Sequence, residues 1–289
     1  MIHDRKDKLL QTCGVVSTLF TVTILLSIYA FIAGESLPIW RDEGILSILL
    51  SNDWQPLSNP PQVGFLTMVV STLWSALGAM LIATPFGIFC GVFLSEYAPA
   101  WLSSILRAVL YMLTGVPSVV YGFLGASMIV PWYEKVIGLS SGESLFCASL
   151  ILSIMVIPYI VSGTYGAFQS ISSEYREAGY GLGVSKEYIL MKIVAPLACR
   201  NMISAVTLAF GRAAGETMAV LMLAGNTLTM PLSWFSKGEP LSALIALEIG
   251  TAEVGGRQYQ GLFAAGLILL LIVSSINFFI CYHSSRGKV

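Results

Sequence analysis

Apolar runs long enough to cross a lipid bilayer recur six times along the chain, at about 13–34, 63–94, 106–131, 145–167, 201–226 and 259–282. A helix needs roughly 20 apolar residues to span the hydrocarbon core, and each peptide group buried there must find its partner within the protein. The pattern predicts an all-α integral membrane protein, one transmembrane domain over 1–289, with six spans. With 56% hydrophobic and 11% charged residues, the chain lies far from a soluble domain, in which about 25% of residues are charged. A net charge of −1 without any basic stripe excludes extended nucleic-acid binding. Cys13, Cys90, Cys147, Cys199 and Cys281 are scattered singly, with no CxxC or Cys/His spacing, so no metal site, cofactor or disulfide framework is expected. His3 and His283 fall in polar tails, where solvated histidines are expected.

The first run follows Asp4-Arg-Lys-Asp-Lys8 and exceeds the 7–15-residue core of a signal peptide; it reads as a retained helix behind a cytoplasmic N-terminal tail, 1–12. The connections 35–62, 132–144 and 227–258 then share one side, while the N-terminal tail, 95–105, 168–200 and the C-terminal tail share the other. Ten Lys and Arg (Arg5, Lys6, Lys8, Arg107, Arg176, Lys186, Lys192, Arg200, Arg286, Lys288) fall on the second side and four on the first. Positive charge is retained in the cytoplasm, so both termini are expected there. The third run is interrupted by Gly115-Val-Pro-Ser-Val-Val-Tyr-Gly122. Proline removes a helical hydrogen bond, and in a bilayer the break survives only where protein or a wet cavity satisfies the freed carbonyls. Gly115, Pro117 and Gly122 therefore mark either a packing kink or a pathway-lining break. Gly87-x-x-x-Gly91, Gly179-x-x-x-Gly183 and Gly211-x-x-x-Gly215 match the small-residue spacing of close helix approach, a weak signal among 27 glycines.

Arg212 and Glu216 interrupt the fifth run, in Phe210-Gly-Arg-Ala-Ala-Gly-Glu-Thr-Met-Ala-Val220. The uncharged stretches on either side place them near mid-depth, where an ionisable residue costs about 2.5–3.5 kcal/mol and points to function. On a continuous helix the i, i+4 spacing puts both on one face, able to neutralise each other. The pair is then either a structural ion pair or a charged lining for a polar substrate, with Thr217 either a hydroxyl on the adjoining face or a packed helix threonine.

The longest cytoplasmic connection, 168–200, is too patterned for a simple turn. Ser172 or Ser173 can cap a short helix whose first turn carries Glu174 and Glu177, matching the helix dipole. Gly179, Gly181 and Gly183 would end it through left-handed backbone angles, and a second amphipathic segment, Lys186 to Val194, leads to Pro196. A short helix followed by a tight turn suits a partner's groove; a plain solvated connector is the alternative. The glycines before Ser185-Lys186 have the wrong order for a phosphate-cradling loop, so the chain itself is not expected to hydrolyse nucleotide.

Glu177-Ala178-Gly179, then Gly183, then Ile193-Val-Ala-Pro196 resembles the EAA motif of ABC-importer permeases along its full spacing, departing at Gly179 and Ala195. Gly211-Arg-Ala-Ala-Gly-Glu-Thr-Met-Ala-Val220 with Gly225-Asn226 is similar to the fifth-helix signature of phosphate permeases. Gly115-Val-Pro-Ser-Val-Val-Tyr-Gly122, Thr84-Pro-Phe-Gly87 and Ser95-Glu-Tyr97 also look like that family, of the PstC type more than the PstA type. The resemblance implies a MetI-like, six-helix type I ABC importer permease with no catalytic residues of its own. Its implied partners are a second homologous permease, two ATPase subunits, an extracytoplasmic phosphate-binding protein and membrane lipid. The ATPase-coupling residues would be Glu174, Glu177, Ala178, Gly179, Gly183 and Pro196. Arg212, Glu216 and Thr217 would line the substrate pathway. Sulfate or molybdate as cargo, an ion-coupled secondary transporter and a phosphate-sensing membrane protein remain alternatives at this level.

Overall fold

Helices dominate because apolar segments in lipid must satisfy their peptide groups internally. The computed structural model describes residues 2–138 and 141–286. Met1, Leu139, Ser140 and 287–289 lie outside that description, as do the side chains of 2–10, 279–281 and 283–286. With them go the charges counted at Arg5, Lys6, Lys8, Arg286 and Lys288, and the expectations for the side chains of His3, Cys281 and His283.

In chain order the elements are α1 (Ile2–Glu43), α2 (Ile45–Leu50), a small antiparallel pair β1 (Trp54–Gln55) and β2 (Gln62–Val63), and α3 (Leu66–Glu96). Next come α4 (Ala100–Thr114), α5 (Ser118–Leu124), a π turn (Gly125–Ile129), α6 (Val130–Ile137) and α7 (Leu145–Gln169). The rest are α8 (Ser173–Gly181), α9 (Lys186–Ile189), a second π turn (Leu190–Val194), α10 (Ala195–Ala214), α11 (Met218–Leu223), α12 (Leu241–Glu248) and α13 (Arg257–Arg286). Gln11–Glu43, Leu66–Glu96, Leu145–Gln169, Lys186–Ala214 and Arg257–Phe278 are each long and apolar enough to span a bilayer; Ala100–Thr114 with Ser118–Ile137 forms a sixth crossing, bent by 93°. Six crossings return both ends to one side, which the Lys and Arg excess marks as cytoplasmic.

The boundaries differ from those predicted. Residues 2–12 are helical, as the start of α1, and the connection expected at 95–105 is already helical from Ala100. The fifth crossing starts earlier than predicted: its long helix runs from Lys186 to Ala214 and α11 carries the chain on to Leu223, so the second half of the 168–200 connection is the foot of a long helix. Hydropathy missed this foot because Lys186, Glu187, Lys192 and Arg200 make it amphipathic.

At the centre α3 lies against α7. A Cβ at Gly87 would stand 2.7 Å from Ile160, and one at Gly91 2.6 Å from Thr164, so the missing side chains are what let the two backbones approach. Ser149 Oγ ties the pair by donating to Ser75 O at 3.0 Å. α10 joins the same cluster through Ala209, Phe210, Ala213 and Ala214, packed with Val156 and Ile160 of α7 and Ala76, Met80 and Ala83 of α3, and α13 packs on α1 and α10. At the outer end Trp54, Val63 and Phe65 pack with Leu241, Leu244 and Leu262. Glu248 accepts from Trp54 Nε1 at 2.9 Å and from Gln258 Nε2 at 2.7 Å. Arg257 pairs with Asp42 at 3.2 Å and Glu43 at 3.3 Å, closing α1 onto α13.

Candidate transport pathway and coupling surface

Both the third and the fifth spans break within the bundle. In the third, α4 ends at Thr114 and Pro117 opens α5 from extended backbone. Tyr121 Oη donates to Leu113 O at 3.0 Å, so a protein hydroxyl satisfies a carbonyl at the break. Gly115 and Pro117 stand at the break as expected, but Gly122 does not: it is helical and buried. A Cβ there would meet Met222 Sδ at 2.8 Å and Ala219 Cα at 3.0 Å. Its role is to let α5 approach α11, not to bend the chain.

The fifth span breaks at Gly215, Glu216 and Thr217. Glycine is poor inside a helix by about 1 kcal/mol, and threonine competes for backbone partners near a helix start. Thr217 stands at the head of α11, its carbonyl accepting Leu221 N at 2.9 Å and its Oγ1 3.4 Å from Gly215 O. Ser242 Oγ donates to Glu216 O at 2.8 Å, tying the break to α12. The expectation that Arg212 and Glu216 neutralise each other on one helix face is therefore corrected. No ion pair joins them within 4 Å among the described residues, because the helix ends between them. Arg212 occupies the last turn of α10, where the helix dipole favours a cation. Its guanidinium lies 4.7 Å from the centroid of the Tyr159 ring, a cation–π contact that leaves its N–H fork without a hydrogen-bond partner among the described residues. Tyr159 follows Pro158 near the middle of α7, so this charge stands at mid-height of the bundle. Arg212 is exposed on the chain's own surface, and Glu216 and Thr217 are half-buried.

On the cytoplasmic face Ser172 caps α8, its Oγ accepting from Glu174 N at 3.3 Å. Glu174 is in the first turn; Glu177 lies beyond it, so only Glu174 meets the dipole directly. Gly183 has φ +70°, with its N–H donating to Tyr180 O at 3.0 Å and Val184 N–H donating to Gly179 O at 3.1 Å. This is a Schellman cap. The other two glycines do not end the helix: Gly179 is helical and buried, with a Cβ there only 2.5 Å from Ile189 Cδ1, and Gly181 is the last helical residue. Glu174, Glu177 and Ala178 are exposed, and so are Tyr175, Tyr180 and Leu182, the last by 82%. Pro196 sits at the start of α10, inside a continuous helix. Its ring would collide with the carbonyl four residues back, and the π turn Leu190–Val194 accommodates it.

Three residues escaped the reading from sequence. Tyr159, the partner of Arg212, carried only the signal of a Pro-Tyr pair inside an apolar run. Glu96 lay inside the Ser95-Glu-Tyr97 motif with no role attached. Glu239, in the outer connection, is buried at 5% exposure and forms no hydrogen bond or ion pair among the described residues. Burial first, and then the Glu248 charge, push its carboxyl up to about 7.

Six crossings, two of them broken inside the bundle, and a guanidinium at mid-height with no hydrogen-bond or carboxylate partner among the described residues define a multi-pass membrane permease. The chain belongs to the family described as binding-protein-dependent transport system inner membrane component, whose model matches residues 83–288. Among its relatives, the probable ABC transporter permease protein YqgH of Bacillus subtilis is 33% identical over 99% of this chain and 92% of that protein. The phosphate transport system permease protein PstC of Haemophilus influenzae is 30% identical over 92% of this chain and 89% of its own length. The probable PstC of Methanocaldococcus jannaschii is 30% identical over 99% and 95% respectively. Among solved structures, a chain of the inward-facing MetNI methionine ABC transporter superposes with a TM-score of 0.59 at 18% identity, covering 81% of this chain and 100% of that one. At that identity the likeness concerns the fold alone.

Proposed function

We propose that this chain is a phosphate-conducting permease subunit of an ATP-driven importer. It would work with a second homologous permease, two ATPase subunits and an extracytoplasmic phosphate-binding protein. The observation that carries the reading is Arg212, whose donor fork at mid-height is held by an aromatic face rather than by a carboxylate. A planar guanidinium suits phosphate oxygens, and a low dielectric strengthens the contact. Stacking on Tyr159 orients the guanidinium while leaving its N–H groups for an anion. Glu216, set apart by the helix break, can accept the P–OH proton of hydrogen phosphate; sulfate, unprotonated near neutral pH, offers no such proton and is repelled. Relatives named as phosphate permeases over most of this chain's length support the same cargo.

On the cytoplasmic face, α8 and its glycine cap form the segment that docks on the ATPase. Glu174, Glu177, Ala178, Gly179 and Gly183 build it, and the exposed Tyr175, Tyr180 and Leu182 supply an apolar surface for a groove. Pro196 begins the helix that carries the motion inward to the broken fifth span. The test is ATP-dependent uptake of labelled phosphate against sulfate in vesicles holding the reconstituted complex. Arg212→Gln should cut phosphate uptake at least tenfold with subunit assembly intact. Uptake at the wild-type rate would refute the role of Arg212, and faster uptake of sulfate would reassign the cargo.

A further inference from the structure

The end of α3 is wired to the coupling segment. Arg176, in the middle of α8, reaches back to Glu96, the last residue of α3, with Nη2 2.6 Å from Oε1 and Nε 3.4 Å from Oε2. The same guanidinium donates to Phe168 O and Ile171 O, both at 3.0 Å, so it also closes the end of α7. Lys186, the first residue of α9, donates through Nζ to Glu96 O and lies over the Tyr97 ring at 4.5 Å from its centroid. Gln169 Nε2 donates to Ser95 Oγ at 3.2 Å. The side chains of Arg176 and Glu96 are only 20% and 9% exposed, so water screens the pair poorly.

Each element that meets at this point leads to a different part of the bundle. α8 is the segment proposed to follow the ATPase, α3 and α7 are the closely packed pair at the centre of the bundle, and α9 leads into the helix whose last turn carries Arg212. A short helix joined to its neighbours only through flexible turns would swing without moving them. A fork-shaped cation that bonds α8 to both α3 and α7 transmits its displacement instead. We propose that Glu96, held by Arg176 and Lys186, is a positioning residue that couples movement of α8 to the α3–α7 pair, and that its loss uncouples ATP hydrolysis from transport.

This rests on the reading of α8 as the ATPase-coupling segment, so the experiment separates the two. Complexes carrying Glu96→Gln, Arg176→Met, both together, or Gly183→Val are reconstituted in vesicles. ATPase subunits retained, ATP hydrolysed and labelled phosphate taken up are measured on each. The expected result for Glu96→Gln is full ATPase retention, hydrolysis within about twofold of wild type and at least a fivefold fall in uptake per ATP. The double substitution should be no worse than the poorer single one, and Glu96→Asp should recover part of the loss. If Glu96→Gln does not fold or insert into the membrane, Lys186→Met, which removes only one strand of the clamp, is expected to show the same uncoupling. Unchanged uptake per ATP in the clamp variants, beside an uncoupled Gly183→Val, overturns the clamp alone. Lost ATPase retention in Glu96→Gln or Lys186→Met makes this a docking contact and also overturns it. A normally coupled Gly183→Val overturns the coupling segment itself.

Discussion

Gly183 offers the sharpest test of the coupling segment, because its contribution separates into backbone conformation and bulk. Its φ is +70°, yet a Cβ added there meets nothing within 4 Å. Within this chain any penalty for a side chain is therefore conformational. The left-handed region costs an ordinary L-residue about 1–2 kcal/mol, more for a β-branched one and less for asparagine, whose side chain bonds locally. Alanine should thus raise the population of the opened cap about fivefold to thirtyfold, valine more and asparagine less. Amide hydrogen exchange at residues 183 and 184 reads this directly, since those N–H groups close the cap onto Tyr180 O and Gly179 O. In the reconstituted complex, exchange should rise and uptake per ATP should fall in the order Gly, Asn, Ala, Val. The informative comparison is asparagine against alanine, because the larger residue should do better. If Gly183→Ala outperforms Gly183→Asn in both assays, bulk against the ATPase governs this position and the conformational argument is wrong.

Gly179, four residues earlier in the same motif, should fail for the opposite reason. Gly179→Ala places a methyl 2.5 Å from Ile189 Cδ1, an overpacking cost of about 1–3 kcal/mol. Ile189→Ala should restore uptake to the Gly179→Ala chain, and absence of rescue would show that the contact is not the cause. Glu239 should make stability depend on pH. Its folded-state value of about 7 lies above the usual 4.5, so the native state holds the proton more tightly than the unfolded chain. That contribution is complete below about pH 4.5 and is lost as pH rises through about 7. It amounts to at most about 3 kcal/mol, and less to the extent that water reaches the carboxylate. Glu239→Gln should raise the apparent Tm at pH 8 and flatten its fall between pH 5 and 8; matching slopes in the two chains would count against it.

Much of this architecture was legible without coordinates, because a bilayer admits few solutions. Apolar runs of spanning length, the Lys and Arg bias and the interruption at Gly115-Val-Pro117 depend on local composition, and each names a span, a side or a break. The same holds for the cap at Ser172 and for the glycine turn at Gly183, which are short-range backbone chemistry. Errors arose where composition and geometry separate. Lys186 to Val194 looks like a surface segment because it carries charge, yet it is the foot of the fifth helix. Gly122, five residues after a proline, looks like part of a kink, yet it is a packing surface for α11.

Partners across the bundle were the other thing hidden. Arg212 and Glu216 are four apart in sequence, and helical periodicity made them a pair. Only the break at Gly215 decided that they are not, and only the placement of α7 decided that Tyr159 takes the guanidinium instead. Glu96 and Arg176 stand 80 residues apart, a separation over which no periodicity carries information. The chain by itself determined that it crosses a membrane six times, carries ionisable residues inside it and presents a capped turn to the cytoplasm, because those follow from solvation and from local backbone preference. Which side chains meet was decided by tertiary packing, since close approach at Gly87 and Gly91 fixes how α3 and α7 lie and hence what stands beside each charge.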